Sequence, residues 1–174
     1  MPKIKNIKYK YKKYDKVNLG SGEEILKGYL NVDFEEFKGV DFLWDLNKIP
    51  YPFKDSQFKE VIMKNILEHL NNPYGIMKEI HRVTKGNGVV YIRTPHFSSN
   101  NAWGDLQHKR GFNSETFKNQ NMKNLFSIEK QEITFPHLRF FARWLAKMNQ
   151  RFYEKHFAYI FPAVDLVIKL RVKK

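Results

Sequence analysis

Val17-Asn18-Leu19-Gly20-Ser21-Gly22, followed by Leu30-Asn31-Val32-Asp33, is the stretch that decides the fold. A short apolar run ends in a Gly-x-Gly turn. A second apolar run ends in an acidic residue 11 positions after the second glycine. Two parallel strands whose carboxyl ends face one ligand have this pattern. Glycine lets the backbone approach closely, and the carboxylate can accept hydrogen bonds from a ribose. A nucleoside-containing cofactor is the first implication.

Outward from that stretch, apolar runs alternate with helical or turn-rich segments. Lys16 to Leu19 reads as a first strand, Tyr29 to Asp33 as a second, and Val40 to Trp44 as a third ending at Asp45-Leu46. A short helix is expected from Ser21, ending at Gly28. Two prolines two residues apart keep Ile49-Pro50-Tyr51-Pro52-Phe53 out of any helix interior. Val61-Ile62-Met63 is apolar on both faces, as a buried parallel strand is. Pro73 to Val83 has Ile76, Met77, Ile80 and Val83 on one helical face, with Pro73 in the first turn. Val89 to Arg93 is a fifth strand, stopped by Pro95. Strands alternating with helices imply right-handed crossovers and a mostly parallel central sheet with helices on both faces. Ligands of such sheets bind beyond the carboxyl ends of the strands.

Residues 96–113 form a long polar loop, and loops of that length in compact domains are often functional. Ser114 begins a short helix, and Leu125 to Thr134 reads as a sixth strand. Residues 138–157 are helical by period, within a helical insertion at 138–162 before a last strand from Ala163 to Val172. In that insertion Phe141, Trp144, Leu145, Met148 and Phe152 oppose a basic stripe of Arg139, Arg143, Lys147, Arg151 and Lys155.

The chain has 174 residues and 42% apolar content, enough for a single domain at 16–174 behind a basic arm at 1–15. Cysteine is absent, which excludes disulfides and thiolate metal sites. No apolar run approaches the roughly 20 residues that span a bilayer, and a cytoplasmic address is expected. The net charge of +13 is uneven. Residues 1–16 carry seven lysines and one aspartate, residues 139–174 nine Lys/Arg and two acids, and the middle is balanced. The basic ends are either solvated faces or an attraction for an anionic partner, nucleic acid or acidic lipid.

Taken together these residues resemble the class I S-adenosylmethionine-dependent methyltransferases in their small type 11 form, over about residues 16–117. The family's first loop reads acidic-x-Gly-x-Gly-x-Gly. Here Asn18 stands at the acid and Glu24 at the third glycine. Phe58-Lys59-Glu60-Val61-Ile62-Met63-Lys64-Asn65-Ile66-Leu67-Glu68-His69-Leu70 looks like the family's fourth-strand signature. Met77 to Gly88 looks like its helix and fifth-strand entry.

The resemblance implies a Rossmann-like methyltransferase fold, S-adenosylmethionine as cofactor, and cofactor contacts from Asn18, Gly20, Ser21, Gly22, Asp33, Phe34, Asp45, Leu46 and Asn65. Asp33 would take the ribose hydroxyls, Asp45-Leu46 would frame the adenine, and Asn65 would lie beside the methionine part. The acceptor is expected to be a small molecule or a saccharide. A nucleic-acid (RNA) methyltransferase and a non-catalytic cofactor-binding protein are the alternatives. A general base is expected from His96 or His108, with Asp105 to orient it. The spacing of His96, Asp105 and His108 matches no defined metal motif, so no metal is expected. Glu68-His69 reads as packing the turn after the fourth strand.

Overall fold

The computed structural model describes residues 13–137 and 139–174, so the basic arm expected at 1–15 lies mostly outside the described residues. Seven strands form one sheet: β1 (Lys16–Leu19), β2 (Leu30–Asp33), β3 (Phe42–Leu43), β4 (Phe58–Lys64), β5 (Thr84–Pro95), β6 (Phe126–Ile133) and β7 (Asp165–Val172). Their order is β3-β2-β1-β4-β5-β7-β6. The first five run parallel, and β7 is antiparallel to both β5 and β6. The order reverses between β1 and β4. Such a switch point leaves a crevice at the carboxyl ends of the strands, where ligands bind.

Residues paired across the sheet point to the same side, so the two faces can be read from the register. One face is apolar: Val17, Leu19, Val32, Val61, Met63, Val90, Ile92, Leu166, Ile168 and Leu170 are all buried. Helix α1 (Pro73–Val83) seals it with Ile76, Met77, Ile80 and Val83. Its ends are set locally. The Asn72 side chain accepts from the Gly75 N–H at 3.0 Å, Pro73 occupies the first turn, and the extended Thr84 stops the helix.

The second face carries Lys16, Glu60, Lys64, Tyr91, Arg93, Lys169 and Arg171 at alternating positions, half-buried or exposed. They pair with one another or with neighbours, as Lys16 does with Glu60 at 3.0 Å and Arg93 with Asp165 at 3.4 Å. The class of fold is the one expected, but its apolar seat for helices is concentrated on one side.

That asymmetry explains the first departure from the sequence reading. No helix forms after Ser21. Residues 20–29 instead fold as turns against the polar face, held by the buried Asn31 amide. Its Oδ1 accepts from the Leu26 N–H at 2.9 Å and from Asn18 Nδ2 at 3.1 Å. Its Nδ2 donates to the Leu26 carbonyl at 3.2 Å and to Asp41 at 3.2 Å. A helix there would need apolar side chains beneath it, and Asn18 and Asn31 are what the sheet presents.

Two further boundaries move. Residues 114–117 are turns, and the helix starts at α3 (Gln120–Leu125), because the Asn119 side chain caps the Met122 N–H at 3.0 Å. Before it, a short α2 (Asn100–Gly104) interrupts the long loop. The single helix expected over 138–157 is two, α4 (Phe140–Met148) and α5 (Gln150–His156). Asn149 breaks it: its backbone is extended, and its side chain accepts from the Phe152 N–H at 3.0 Å to start α5. The basic stripe is therefore split between two helices.

Removing the Asn31 amide leaves several buried partners without a hydrogen bond. Asn31→Ala should lower the free energy of unfolding by roughly 2–3 kcal/mol, measured by urea denaturation. A change within error would show that the loop is held by other contacts.

Candidate active site

A cavity of about 460 Å³ opens at the carboxyl ends of β1, β2 and β4, a size suited to a small organic ligand. One set of lining residues is Gly20, Asp33, Phe34, Trp44, Asp45, Leu46 and Asn47, from the turns after β1, β2 and β3. The other is Ile66, His69, Leu70, Leu106, Gln107 and Lys109, from the turn after β4 and the long loop.

Gly20 sits where β1 meets the turn after β4. Its φ is +70°, and a Cβ built on it would lie 2.5 Å from Ile66 Cγ1. No other residue fits both the dihedral and the space. The N–H groups of Gly20 and Ser21 donate to the Val32 carbonyl at 2.8 and 3.0 Å, which ties the glycine turn to β2. The Gly22 N–H donates to Asp33 Oδ2 at 2.8 Å, and the Glu35 N–H to Asp33 Oδ1 at 3.1 Å. The Asp33 carboxylate is thus fixed in orientation, buried, and still has acceptor capacity toward the cavity. Phe34 follows it with its ring 64% exposed, and Trp44 stacks on Phe42 behind the same wall.

The remaining cofactor candidates are distributed unevenly. Asp45 lines the cavity, though its Oδ1 is turned back to accept from the Asn47 N–H at 2.9 Å. Leu46 lines it with a buried side chain. Asn18 is buried elsewhere: its Nδ2 donates to the Glu24 carbonyl at 2.9 Å and to Asn31. Ser21 is buried, and its Oγ has no partner among the described residues. Asn65 has a φ of +50° and turns the chain out of β4, its N–H donating to the Arg93 carbonyl at 2.8 Å. Gly22, Asn65, Asn18 and Ser21 are not among the lining residues.

The three residues proposed for proton transfer do not gather. His96 is fully buried at the end of β5. The Ser98 N–H points at its Nδ1 at 3.2 Å, which makes Nδ1 an acceptor and puts the ring proton on Nε2, facing Glu154 at 3.2 Å. Glu154, on α5, also accepts from the Ser114 N–H and hydroxyl, each at 2.7 Å. This geometry ties β5, the segment after the long loop and α5 together. Burial pushes the Glu154 carboxyl up, and the hydrogen bonds from His96 and Ser114 outweigh it, leaving its pKa below the usual value.

His108 lies elsewhere, with Asp105 Oδ2 3.8 Å from its Nε2. Its company is Glu68 and His69, in the 3-10 turn Leu67–His69 that follows β4. The His69 and His108 rings meet edge to face at 4.5 Å, and His108 Nε2 stands 4.0 Å from Glu68 Oε1. The long loop is docked on that turn. The Lys109 N–H donates to the Glu68 carbonyl at 3.0 Å, and the Arg110 guanidinium donates to the Leu70 and Asn71 carbonyls at 2.5 and 3.2 Å. Burial raises the pKa of Glu68 and lowers that of His69, so both are biased toward their neutral forms. Reading Glu68-His69 as packing residues missed this grouping. The polar cluster Asp105–Arg110 was visible in the sequence, but nothing in it names the turn it docks on.

Comparison with known proteins fits this arrangement. Residues 18–92 match the family model described as a methyltransferase domain, of type 11. That segment, which runs from within β1 through β4 and most of β5, is similar to the class I methyltransferases of the type 11 family. No curated protein matches the chain in sequence. Among solved structures, an S-adenosylmethionine-dependent methyltransferase from Archaeoglobus fulgidus is similar, with a TM-score of 0.69, 18% identity, and coverage of 92% of this chain and 87% of that one. One from Mesorhizobium loti has a TM-score of 0.61 and 14% identity, covering 90% of each chain. A complex of the Haloferax volcanii Trm112 methyltransferase activator with a methyltransferase has a TM-score of 0.61 and 15% identity, covering 92% of this chain and 84% of that one. At such identities the likeness shows the fold.

The methyltransferase is an enzyme that uses S-adenosylmethionine. The residues present fit that cofactor: a glycine where a Cβ would collide, a fixed carboxylate at the end of β2, and aromatic side chains on the adjoining wall.

Because the folded Glu154 carboxyl has a depressed pKa, its stabilising contribution is complete above its unfolded value, about 4.3, and is lost as pH falls through the folded value. Glu154→Gln should therefore destabilise the protein at pH 7. Its gap from wild type should shrink by pH 3, as followed by thermal unfolding. A gap that does not change with pH would show that the charge of Glu154 is not what holds this junction.

Proposed function

We propose that the chain transfers the methyl group of S-adenosylmethionine to an oxygen of a small-molecule or saccharide-type acceptor. The cavity carries this reading: a nucleoside-sized wall around Asp33 meets a polar wall of His69, Gln107 and Lys109 in one continuous space. In this reading Asp33 accepts from the ribose hydroxyls. Phe34 and Leu46 enclose the adenine beside Asp45, and Gly20, with the unpartnered Ser21 Oγ nearby, receives the methionine end. Gly22 acts indirectly, by fixing Asp33. Asn18 and Asn65 act through the shape of the turns that they hold.

The cofactor supplies an activated methyl on a sulfonium, and the protein aligns an acceptor with it and excludes water. His69, Gln107 and Lys109 offer hydrogen-bond partners spaced around an open cavity. Ile66, Leu70 and Leu106 on the same wall add apolar contact, a combination that suits an acceptor with both hydroxyl groups and an apolar face, such as a sugar ring.

Binding of S-adenosylmethionine, measured by calorimetry, should weaken at least tenfold in Asp33→Ala, which removes a charged hydrogen-bond acceptor worth about 1.5–3 kcal/mol. Equal binding by the variant would remove Asp33 from the cofactor site. If wild type binds, cofactor consumption across a panel of sugars and glycosides tests the acceptor class.

A second observation favours an anionic lipid surface as the place of action. On α4 and α5, Phe140, Phe141, Trp144, Met148 and Phe152 are 47–69% exposed, and Tyr159 and Ile160 extend the patch. Arg143, Lys147, Arg151 and Lys155 lie on the same two helices. Apolar side chains left in water beside cations match an interfacial helix pair better than a phosphate-tracking one, which has no need of exposed Phe and Met. None of the described helices is long and apolar enough to cross a membrane, so contact would be peripheral. The protein should co-sediment with vesicles containing phosphatidylglycerol, and Trp144→Ala combined with Arg143→Glu should abolish most of that binding. Wild-type protein left in the supernatant, or salt-sensitive RNA binding in its place, would overturn this reading.

A further inference from the structure

Three buried polar atoms, on three residues that lie together, have no hydrogen-bond partner among the described residues. They are Glu68 Oε1, His69 Nδ1 and His108 Nδ1. Glu68 is only 1% exposed, and the side chain of His108 is 8% exposed. A buried polar atom without a hydrogen bond is destabilising, so three in one place point to a shared ligand. Ligand atoms of these residues all lie within 4.8 Å of one another, a spread that a single ion can satisfy.

The groups around them are arranged as metal ligands usually are. The other oxygen of Glu68 accepts from the Thr94 hydroxyl at 3.0 Å, which fixes the carboxylate and leaves Oε1 free. The His69 ring is held edge to face against the His108 ring at 4.5 Å, while its Nδ1 has no partner among the described residues. Such outer contacts orient imidazole and carboxylate ligands toward an ion. Asp105, half-exposed and 3.8 Å from His108, adds a carboxylate at the rim. The elements are independent: Glu68 and His69 follow β4, and His108 comes from the long loop, pinned to them through Lys109 and Arg110. His69 also lines the cavity, so the cluster borders the acceptor side of the same space.

We propose that Glu68, His69 and His108 form a divalent transition-metal site at the acceptor end of the cavity, with Asp105 as a fourth ligand or as a hydrogen-bond acceptor at its rim. Two imidazoles and one carboxylate suit zinc, cobalt or manganese better than magnesium, which prefers an all-oxygen shell. The site groups His108 with Glu68 and His69 rather than with His96, which belongs to the Glu154 junction. Three protein ligands leave a position for an acceptor hydroxyl, whose pKa a cation lowers. That role rests on the reading of the cavity as a cofactor and acceptor site; the metal site itself does not.

The test is titration of chelator-treated full-length protein with Co²⁺ alone, followed by calorimetry and by visible absorption. Wild type should bind one equivalent and develop the absorption bands of a low-coordinate cobalt site. His108→Ala and Glu68→Gln should each weaken binding at least tenfold. S-adenosylmethionine binding, measured on the same samples, reports folding and the cofactor reading separately. If Glu68→Gln does not fold, His108→Ala carries the test. Absence of cobalt binding by wild type, or equal affinity in His108→Ala, would overturn the proposal even if S-adenosylmethionine binds.

Discussion

The hydrogen bond from the Gly22 N–H to the Asp33 carboxylate, at 2.8 Å, closes the turn after β1 onto the end of β2. It holds a charge at the switch point of the sheet. It forms because Gly20 and Gly22 both take positive φ, turning successive N–H groups inward to Val32 and Asp33. Ile66 packs where the Gly20 side chain would be, which brings the turn after β4 to the same edge. The cavity, the carboxylate and the Glu68-His69 turn are thus placed by one contact region.

The sheet above this region is built unequally. One face is an apolar core sealed by α1, while the other is a lattice of paired charges and buried amides. A turn-rich loop on that polar face substitutes for the helix expected after Ser21. It can do so because the Asn31 amide satisfies backbone groups that a helix would have paired within itself. At the other end, α4 and α5 leave large apolar side chains in solvent, a cost that a monomer in water does not recover.

Much of the fold was legible because its signals are local. The apolar runs of β1, β2, β4 and β5 and the 3.6-residue period of α1 depend only on neighbouring residues. So do the Gly-x-Gly turn and the placement of Asp33. Helix starts set by side-chain caps were less legible: Asn119 and Asn149 resemble any polar residue until the helices they start are seen. One wall of the cavity was partly readable: Gly20, Asp33, Phe34, Asp45 and Leu46 line it, and each lies at or just after a strand end. The other side was not, since Glu68-His69 and His108 are about 40 residues apart in sequence and meet only through loop docking.

The sequence by itself determined the parallel sheet, a nucleoside-containing cofactor and the carboxylate at the second strand, because periodicity, glycine and strand-end chemistry act over a few residues. Only the tertiary structure decided which histidine serves which place. His96 is drawn into the Glu154 junction, because α5 folds back over the end of β5 and offers a carboxylate to its Nε2. His108 is carried to Glu68 and His69, because the Lys109 N–H and the Arg110 guanidinium anchor the long loop on the backbone carbonyls of Glu68 and Leu70. Those contacts join segments far apart in the chain, and no local pattern encodes them.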